Sequence, residues 1–186
     1  MVDSLAAASI LRQRRVGGLP VRAFVDLGSG GGYPGIPLAA ALPVEQVLLV
    51  DSVGKKAAFL AAAVLATGLD SRVAVASERA ESLARDSRHR ERWQAVTARA
   101  VGGLDELVEL SFPLLVPGGI LIAWKRGDIE DEIGAARLAL ASLGGGRIDT
   151  LLVEAKVVIY FDQRLSLVRK EGVRIFEFVT DNDNII

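Results

Sequence analysis

Val25-Asp26-Leu27-Gly28-Ser29-Gly30-Gly31-Gly32-Tyr33-Pro34-Gly35-Ile36-Pro37-Leu38 is the stretch on which the fold turns. It reads as an apolar strand ending in an acid, then a glycine turn, then the start of a helix. That succession is how a parallel α/β sheet receives a nucleotide-like ligand. Glycines reach positive φ at little steric cost and let the backbone approach a ligand closely. Pro34 or Pro37 fits the first helical turn, where a missing N–H does no harm.

Outward from this turn, strand and helix patterns alternate. Upstream lie an Ala-rich helix over 2–11 and a basic, glycine-containing connector, Arg12 to Pro20, followed by a strand over Val21–Leu27. Downstream the patterns predict a helix (Ile36–Leu42), a buried strand ending in an acid (Gln46–Asp51) and a helix (Gly54–Thr67) with Gly68 as its C-cap. Next come a strand (Arg72–Ala76), a short helix (Glu78–Asp86), a charged loop (Arg88–Arg92) and a strand (Trp93–Arg99). A helix over Leu104–Leu115, closed by Pro117-Gly118-Gly119, leads to a strand over Ile120–Trp124 and a helix over Asp128–Leu143 capped by Asp128. The remainder is strand-rich: Ile148–Val153, Val157–Phe161, Leu165–Arg169 and Val173–Val179, with a frayed tail from Asp181. Alternating strands and helices imply right-handed βαβ units and a doubly wound, mostly parallel sheet. The strand-rich end implies a hairpin, giving that sheet an antiparallel C-terminal edge.

Composition narrows the function classes. Apolar residues make up 51% of the 186, so the chain has the means to build a core, and a net charge of −1 provides no global field for a polyanion. Contact with nucleic acid therefore requires a local basic patch. The absence of cysteine excludes a thiol nucleophile, a zinc-thiolate site and a disulfide framework. Ala57 to Leu69 is apolar but too short for a bilayer, which needs about 20 residues. The arginines at 12, 14 and 15 follow the first apolar stretch, the wrong order for a secretory signal. A cytoplasmic protein with no membrane partner and no bound metal is the expectation.

Two registers of the glycine turn compete. Gly30-Gly31-Gly32-Tyr33-Pro34-Gly35 satisfies G-x-G-x-x-G, and Asp51 follows Gly30 by about 20 residues, as in a dinucleotide site. The other register starts at the acid, Asp26-Leu27-Gly28-Ser29-Gly30, and is similar to the turn of S-adenosylmethionine-dependent methyltransferases. Charge separates them. A pyrophosphate takes backbone N–H groups and no carboxylate. S-adenosylmethionine carries a cationic amino group and a sulfonium, which Asp26 at the strand end would favour. In both registers Asp51 accepts hydrogen bonds from ribose hydroxyls, with a helix N-cap as its ordinary alternative.

Asp26 through Leu38 resembles the D-[LIV]-G-[TS]-G-x-G-[FLY]-P-G-[LI]-P-L signature of the ribosomal RNA small-subunit methyltransferase G family, also called glucose-inhibited division protein B. The likeness continues in Val50-Asp51-Ser52-Val53-Gly54-Lys55-Lys56-Ala57-Ala58-Phe59-Leu60, Glu78-Arg79-Ala80-Glu81, Thr97-Ala98-Arg99-Ala100-Val101 and Pro117-Gly118-Gly119. It implies a class I methyltransferase fold and methylation of guanine N7 in 16S ribosomal RNA, free or in the 30S subunit, with S-adenosylmethionine as cofactor. The implied cofactor residues are Asp26, Gly28, Gly30, Tyr33, Asp51, Ala80, Glu81 and Arg99. Ala80 and Glu81 would flank the adenine, and Arg99 would stand between cofactor and target. The implied division is a helical remnant and connector over 1–20, a methyltransferase domain over 21–170 and a divergent strand and tail over 171–186. Against the family pattern, Gln94 stands where an acid is expected, Lys125-Arg126 where Lys-Gly is usual, and an acidic tail where the family is basic.

A lone pair already sits on guanine N7, so the implied chemistry needs positioning more than a general base. No residue is assigned as catalytic beyond Arg99. His89, the single histidine, reads as solvated surface in a charged loop. Lys55, Lys56, Lys125 and Arg126 are candidate RNA contacts, joined by the arginines between 72 and 99. Trp124 reads as core, with base stacking as its alternative. A nicotinamide-dependent oxidoreductase and a shortened homologue that binds cofactor without turnover are the competing readings.

Overall fold

The computed structural model describes residues 2–126, 129–144, 146–153 and 156–162. The expected strands over Leu165–Arg169 and Val173–Val179, and the Asp128 cap, lie outside the described residues. A 3-10 turn at Val2–Leu5 leads into α1 (Ala6–Gln13) and a small antiparallel hairpin of β1 (Arg15–Val16) and β2 (Leu19–Pro20). Among the described residues a seven-stranded sheet follows, built from β3 (Ala23–Leu27), β4 (Gln46–Val50), β5 (Val73–Ala76), β6 (Trp93–Arg99), β7 (Leu115–Arg126), β8 (Arg147–Val153) and β9 (Lys156–Asp162). The helices are α2 (Gly35–Ala41), α3 (Gly54–Ala66), α4 (Ala80–Arg85), α5 (Leu104–Ser111) and α6 (Glu130–Ser142).

Strand order is β5-β4-β3-β6-β7-β9-β8, parallel from β5 through β7, with β9 antiparallel to both of its neighbours. The expected C-terminal hairpin is there, and β9 is its inner strand. The order reverses at β3, whose neighbours are β4 and β6, so the sheet has its switch point at the glycine turn.

Period-2 alternation sorts the core into two layers. Phe24, Val47, Leu49, Ala95, Ile120 and Ile122 face α1, α2 and α3, in one cluster with Leu38 and Leu60. Val25, Leu27, Leu48, Val50, Val96 and Leu121 face α4, α5 and α6, with Leu83, Leu107 and Ile133. Both faces of each central strand are buried, which is why the strands read as continuous apolar runs. Ala7, Leu11 and Val16 share the first layer, so the N-terminal segment packs on the sheet.

Three expectations change. The connector Arg12 to Pro20 contains the β1–β2 hairpin, made by Gly17 and Gly18 at φ 58 and 81. A two-residue glycine loop matches the twist of paired strands. The helix over Leu104–Leu115 stops at Ser111 and becomes a 3-10 turn over Phe112–Leu114, where Pro113 lacks an amide to continue it. Pro117-Gly118-Gly119 then lies inside β7. Pairing jumps from Trp93↔Leu115 to Ala95↔Ile120, so residues 116–119 bulge from the ladder, with Gly118 at φ 77. Gln94 sits at the other side of this irregularity. Its Oε1 accepts the amides of Arg22 (2.7 Å) and Ala23 (3.2 Å), and its Nε2 donates to the Pro20 carbonyl (3.2 Å). A neutral side chain that both donates and accepts does this; a carboxylate only accepts.

Candidate functional site: a cleft at the switch point

Past the carboxyl ends of β3, β4, β5 and β6 lies a cleft of about 320 Å³. Gly28 forms its floor with Val50 and Asp51. One wall is Ser52, Val53 and Lys56 at the start of α3; another is Glu78 through Glu81 before and within α4. Ala100 and Val101, after β6, and Glu106 and Leu110 of α5 close the far side.

The glycine turn is fixed by short polar side chains. Ser29 Oγ donates to the Asp26 carbonyl (2.8 Å) and accepts the Val50 amide (3.2 Å), while the Ser29 amide donates to the Val50 carbonyl (2.9 Å). This stitches β3 to β4 beyond their last paired residues. Asp51 completes the tie: Oδ2 accepts the Gly30 amide and Oδ1 the Val53 amide, each at 2.9 Å. With one amide on each oxygen, the carboxylate keeps acceptor capacity for a ligand. The helix that follows has Val53 at its N-cap position and no side-chain cap, so Asp51 holds the loop rather than capping α3. Gly28 has φ +65, and a Cβ there would strike Val101 Cγ2. A bare backbone is required where turn and far wall meet.

Asp26 departs from expectation. It is fully buried and does not open on the cleft. Strand parity puts its side chain with Phe24, on the α2 face, directly opposite Thr97 in the β3–β6 register. Thr97 Oγ1 donates to Oδ1 at 2.6 Å, and Oδ2 is enclosed without a hydrogen-bond partner. Gly35, first residue of α2, lets the helix sit on this carboxylate: its Cβ would lie 2.8 Å from Oδ2 and would overlap Leu49 Cδ2. Burial pushes the Asp26 carboxyl up from 3.8 to about 6, against the lowering effects of Thr97, Ser29, Gly35 and Arg99.

Of the residues expected at a cofactor, Gly28, Asp51, Ala80 and Glu81 line the cleft together. Gly30, Tyr33 and Arg99 are outside its lining. Gly30 spends its amide on Asp51. Tyr33 is 46% exposed at the turn's tip. Arg99 Nη1 reaches Ser4 Oγ at 3.5 Å and helps hold Asp26 ionised. Among the candidate RNA contacts, Lys55, Lys56 and Arg126 are exposed, and Lys56 also lines the cleft. Lys125 is instead engaged internally: its ammonium lies 2.7 Å from Glu132 Oε2 and donates to the Gly102 carbonyl at 2.5 Å.

Trp124 belongs to the α1–α3 layer of the core, which removes base stacking for it. His89 is half-buried, stacked on Trp93 with centroids 6.0 Å apart and planes 10° from parallel, and its Nδ1 is shut off from water. The solvated reading fails because the turn 86–90 folds the ring inward, its amide donating to the Asp86 carbonyl. Arginines of the same region are used for structure: Arg72 reaches the Leu42 and Val44 carbonyls, Arg90 the Ala84 carbonyl, and Arg88 pairs with Asp86. Sequence reading missed Ser29, Thr97, Glu78 and Glu106. A hydroxyl after Gly28 and a Thr inside an apolar strand were the available signals for the first two.

Among the described residues, four carboxylates line the cleft (Asp51, Glu78, Glu81 and Glu106) against the two cations Lys56 and Arg79. The excess is negative. Such a cleft favours a ligand with net positive or delocalised cationic charge and repels a pyrophosphate.

Comparison with known proteins agrees with this architecture. The fold is that of a Thermotoga maritima S-adenosylmethionine-dependent O-methyltransferase (TM-score 0.65, 14% identity, covering 92% of this chain and 67% of that one). It is equally that of a Corynebacterium glutamicum protein (TM-score 0.64, 18% identity, 88% and 81%). A ribosomal RNA small subunit methyltransferase G from Roseiflexus sp. strain RS-1 is 46% identical over 147 residues, 72% of this chain and 62% of that protein. The one from Caldicellulosiruptor bescii is 38% identical over 168 residues, 90% and 68%. The chain spans less than two thirds of the length of the Roseiflexus relatives it matches, 62% and 56%. The model of the family named GidB, rRNA small subunit methyltransferase G, matches residues 1–156, and the chain belongs to this family of S-adenosylmethionine-dependent methyltransferases.

Proposed function

We propose that this chain binds S-adenosylmethionine in the cleft and methylates N7 of a guanine in 16S ribosomal RNA, free or within the 30S subunit. The observation that carries the cofactor assignment is the acid-lined cleft at the switch point, with Asp51 on its floor. The residues present fit the group: bare backbone at Gly28, a carboxylate with spare acceptor capacity at Asp51, and an excess of carboxylates around a cationic ligand. When bound, the cofactor supplies an electrophilic methyl on its sulfonium.

The chain's own residues supply place and field. Asp51 accepts the ribose hydroxyls, a charge-assisted contact contributing about 1.5–3 kcal/mol. Ala80 and Glu81 flank the base. Asp26 acts at one remove, as a positioning residue that sets the glycine turn from beneath α2. Guanine N7 attacks with its own lone pair, so alignment and the cleft's electrostatics are what the protein must provide. Lys55, Lys56 and Arg126 are exposed cations for backbone phosphates, consistent with a protein whose net charge gives no long-range attraction. No helix among the described residues is long and apolar enough to cross a membrane.

The test is methyl transfer from labelled cofactor to unmodified 16S RNA or 30S particles, beside thermal shifts with S-adenosylmethionine and with NADH. A shift with the first alone and label in RNA is the expected result. Saturation at about 100 times Kd adds roughly 2.7 kcal/mol to stability. A shift with NADH alone would turn the reading to the oxidoreductase. Cofactor binding without transfer would make this a homologue that has kept the cleft and lost the reaction.

A further inference from the structure

The Lys125 ammonium is drawn inward although it ends a strand at the functional edge of the sheet; its side chain is only 11% exposed. Besides its contacts to Gly102 and Glu132, the same Glu132 Oε2 accepts the Leu104 amide at 3.2 Å. One carboxylate oxygen on α6 thus gathers a cation from β7 and the first amide of α5. The loop between β6 and α5, residues 100–103, is tied at the Gly102 carbonyl and at its exit.

That loop needs tying. Ala100 has φ 57 and Gly102 φ 36, left-handed conformations that cost an alanine free energy. The loop also carries one side of the cleft. Ala100 and Val101 line it, Val101 touches the space above Gly28, and Glu106 projects from the first turn of α5. We infer that Lys125 and Glu132 are positioning residues which, through Gly102 and the start of α5, hold the β6–α5 loop as the far wall of the cofactor cleft. This rests on the cleft being the cofactor site. It also removes Lys125 from the RNA contacts: an ammonium already held by a carboxylate and a carbonyl is poorly placed for a phosphate.

The experiment uses the full chain and its Lys125→Met, Lys125→Arg and Glu132→Gln variants. Three readouts are taken: calorimetric Kd for S-adenosylmethionine, KM for RNA, and amide exchange at Leu104 without cofactor. Loss of the charged contacts in Lys125→Met and Glu132→Gln raises the cofactor Kd about tenfold, with RNA KM unchanged. Lys125→Arg, which keeps the charge and the donors, recovers most of that loss, and Leu104 exchanges faster in Lys125→Met. A cofactor Kd within about twofold of the parent in Lys125→Met would overturn the inference. So would an RNA KM that rises while the cofactor Kd stays, or an equal loss in Lys125→Arg. If the parent chain itself binds no cofactor, the proposed function fails, and Leu104 exchange alone then decides whether the ionic tie holds the loop.

Discussion

On the β3–β4 side of the cleft the ties are backbone amides and short side chains. Ser29, Asp26, Thr97 and Asp51 are all buried, and Gly35 leaves α2 no gap. On the β6–β7 side the ties are long charged side chains, and the Glu132 carboxylate is 38% exposed. Buried hydrogen bonds between short groups have few alternative geometries and a low local dielectric. Ion pairs reached by water are weaker and are screened by salt. The first side therefore decides whether the cleft exists, and the second trims it.

The strongest way to break this contrast is Thr97→Val. It preserves volume but takes from the buried Asp26 carboxyl its Thr97 donor, the strongest of the groups that favour its charged form, and should cost about 3 kcal/mol. A lowered urea midpoint with an unchanged slope is the readout. A loss below about 1 kcal/mol would place Asp26 in a softer environment than its burial implies.

Nearly as large is a pH effect. The native Asp26 carboxyl is held up at about 6 by burial, above the unfolded value of 3.8, so the native state binds its proton more tightly. The stability this group contributes is full below pH 3.8, declines as pH rises through about 6 and is gone above it. The amount is up to about 3 kcal/mol. Asp26→Asn should remove that slope, seen as a stability difference from the parent that changes between these pH values and is flat above them.

Asp51→Ala comes next. It deprives the Gly30 and Val53 amides of their acceptor, so about 1–2 kcal/mol of stability is lost. Cofactor binding by calorimetry should weaken at least about tenfold. Smallest is Glu132→Gln on the ionic side, with less than about 1 kcal/mol lost in thermal unfolding. A stability loss there matching Thr97→Val would erase the difference between the two sides.

The strand–helix alternation, the mostly parallel sheet and the C-terminal hairpin were legible because two-sided burial writes continuous apolar runs and the turn needs glycine; the strand order was not, since it depends on which strands pair. Gly28 and Asp51 were legible for the same local reason, each following directly on a strand; Ala80 and Glu81 entered only through the family resemblance, because nothing in the local pattern marks the start of α4 as a binding wall. Asp26 was misjudged because a strand end suggests an open carboxylate, yet its parity with Phe24 already assigned it to the α2 face. The Gly17-Gly18 hairpin was also within reach of turn chemistry. Lys125 was not. Its partner stands on α6, and only the packing of α5 against α6 brings that carboxylate to the end of β7. The inward turn of His89 likewise depends on Trp93 being seated beneath α4.

Synthesis runs from the amino end, yet β9, the last of the described strands, is interior to the sheet, while β8, made before it, stands at the edge. Until residues 156–162 have left the ribosome, β7 offers the ladder positions from Ile120 to Arg126 with no outer neighbour. That rim includes Leu121, Ile122, Ala123 and Trp124, an apolar run of the kind that templates intermolecular pairing. β9 is thus the latch that covers this rim during synthesis, and a chain cut short of it keeps the rim open for good.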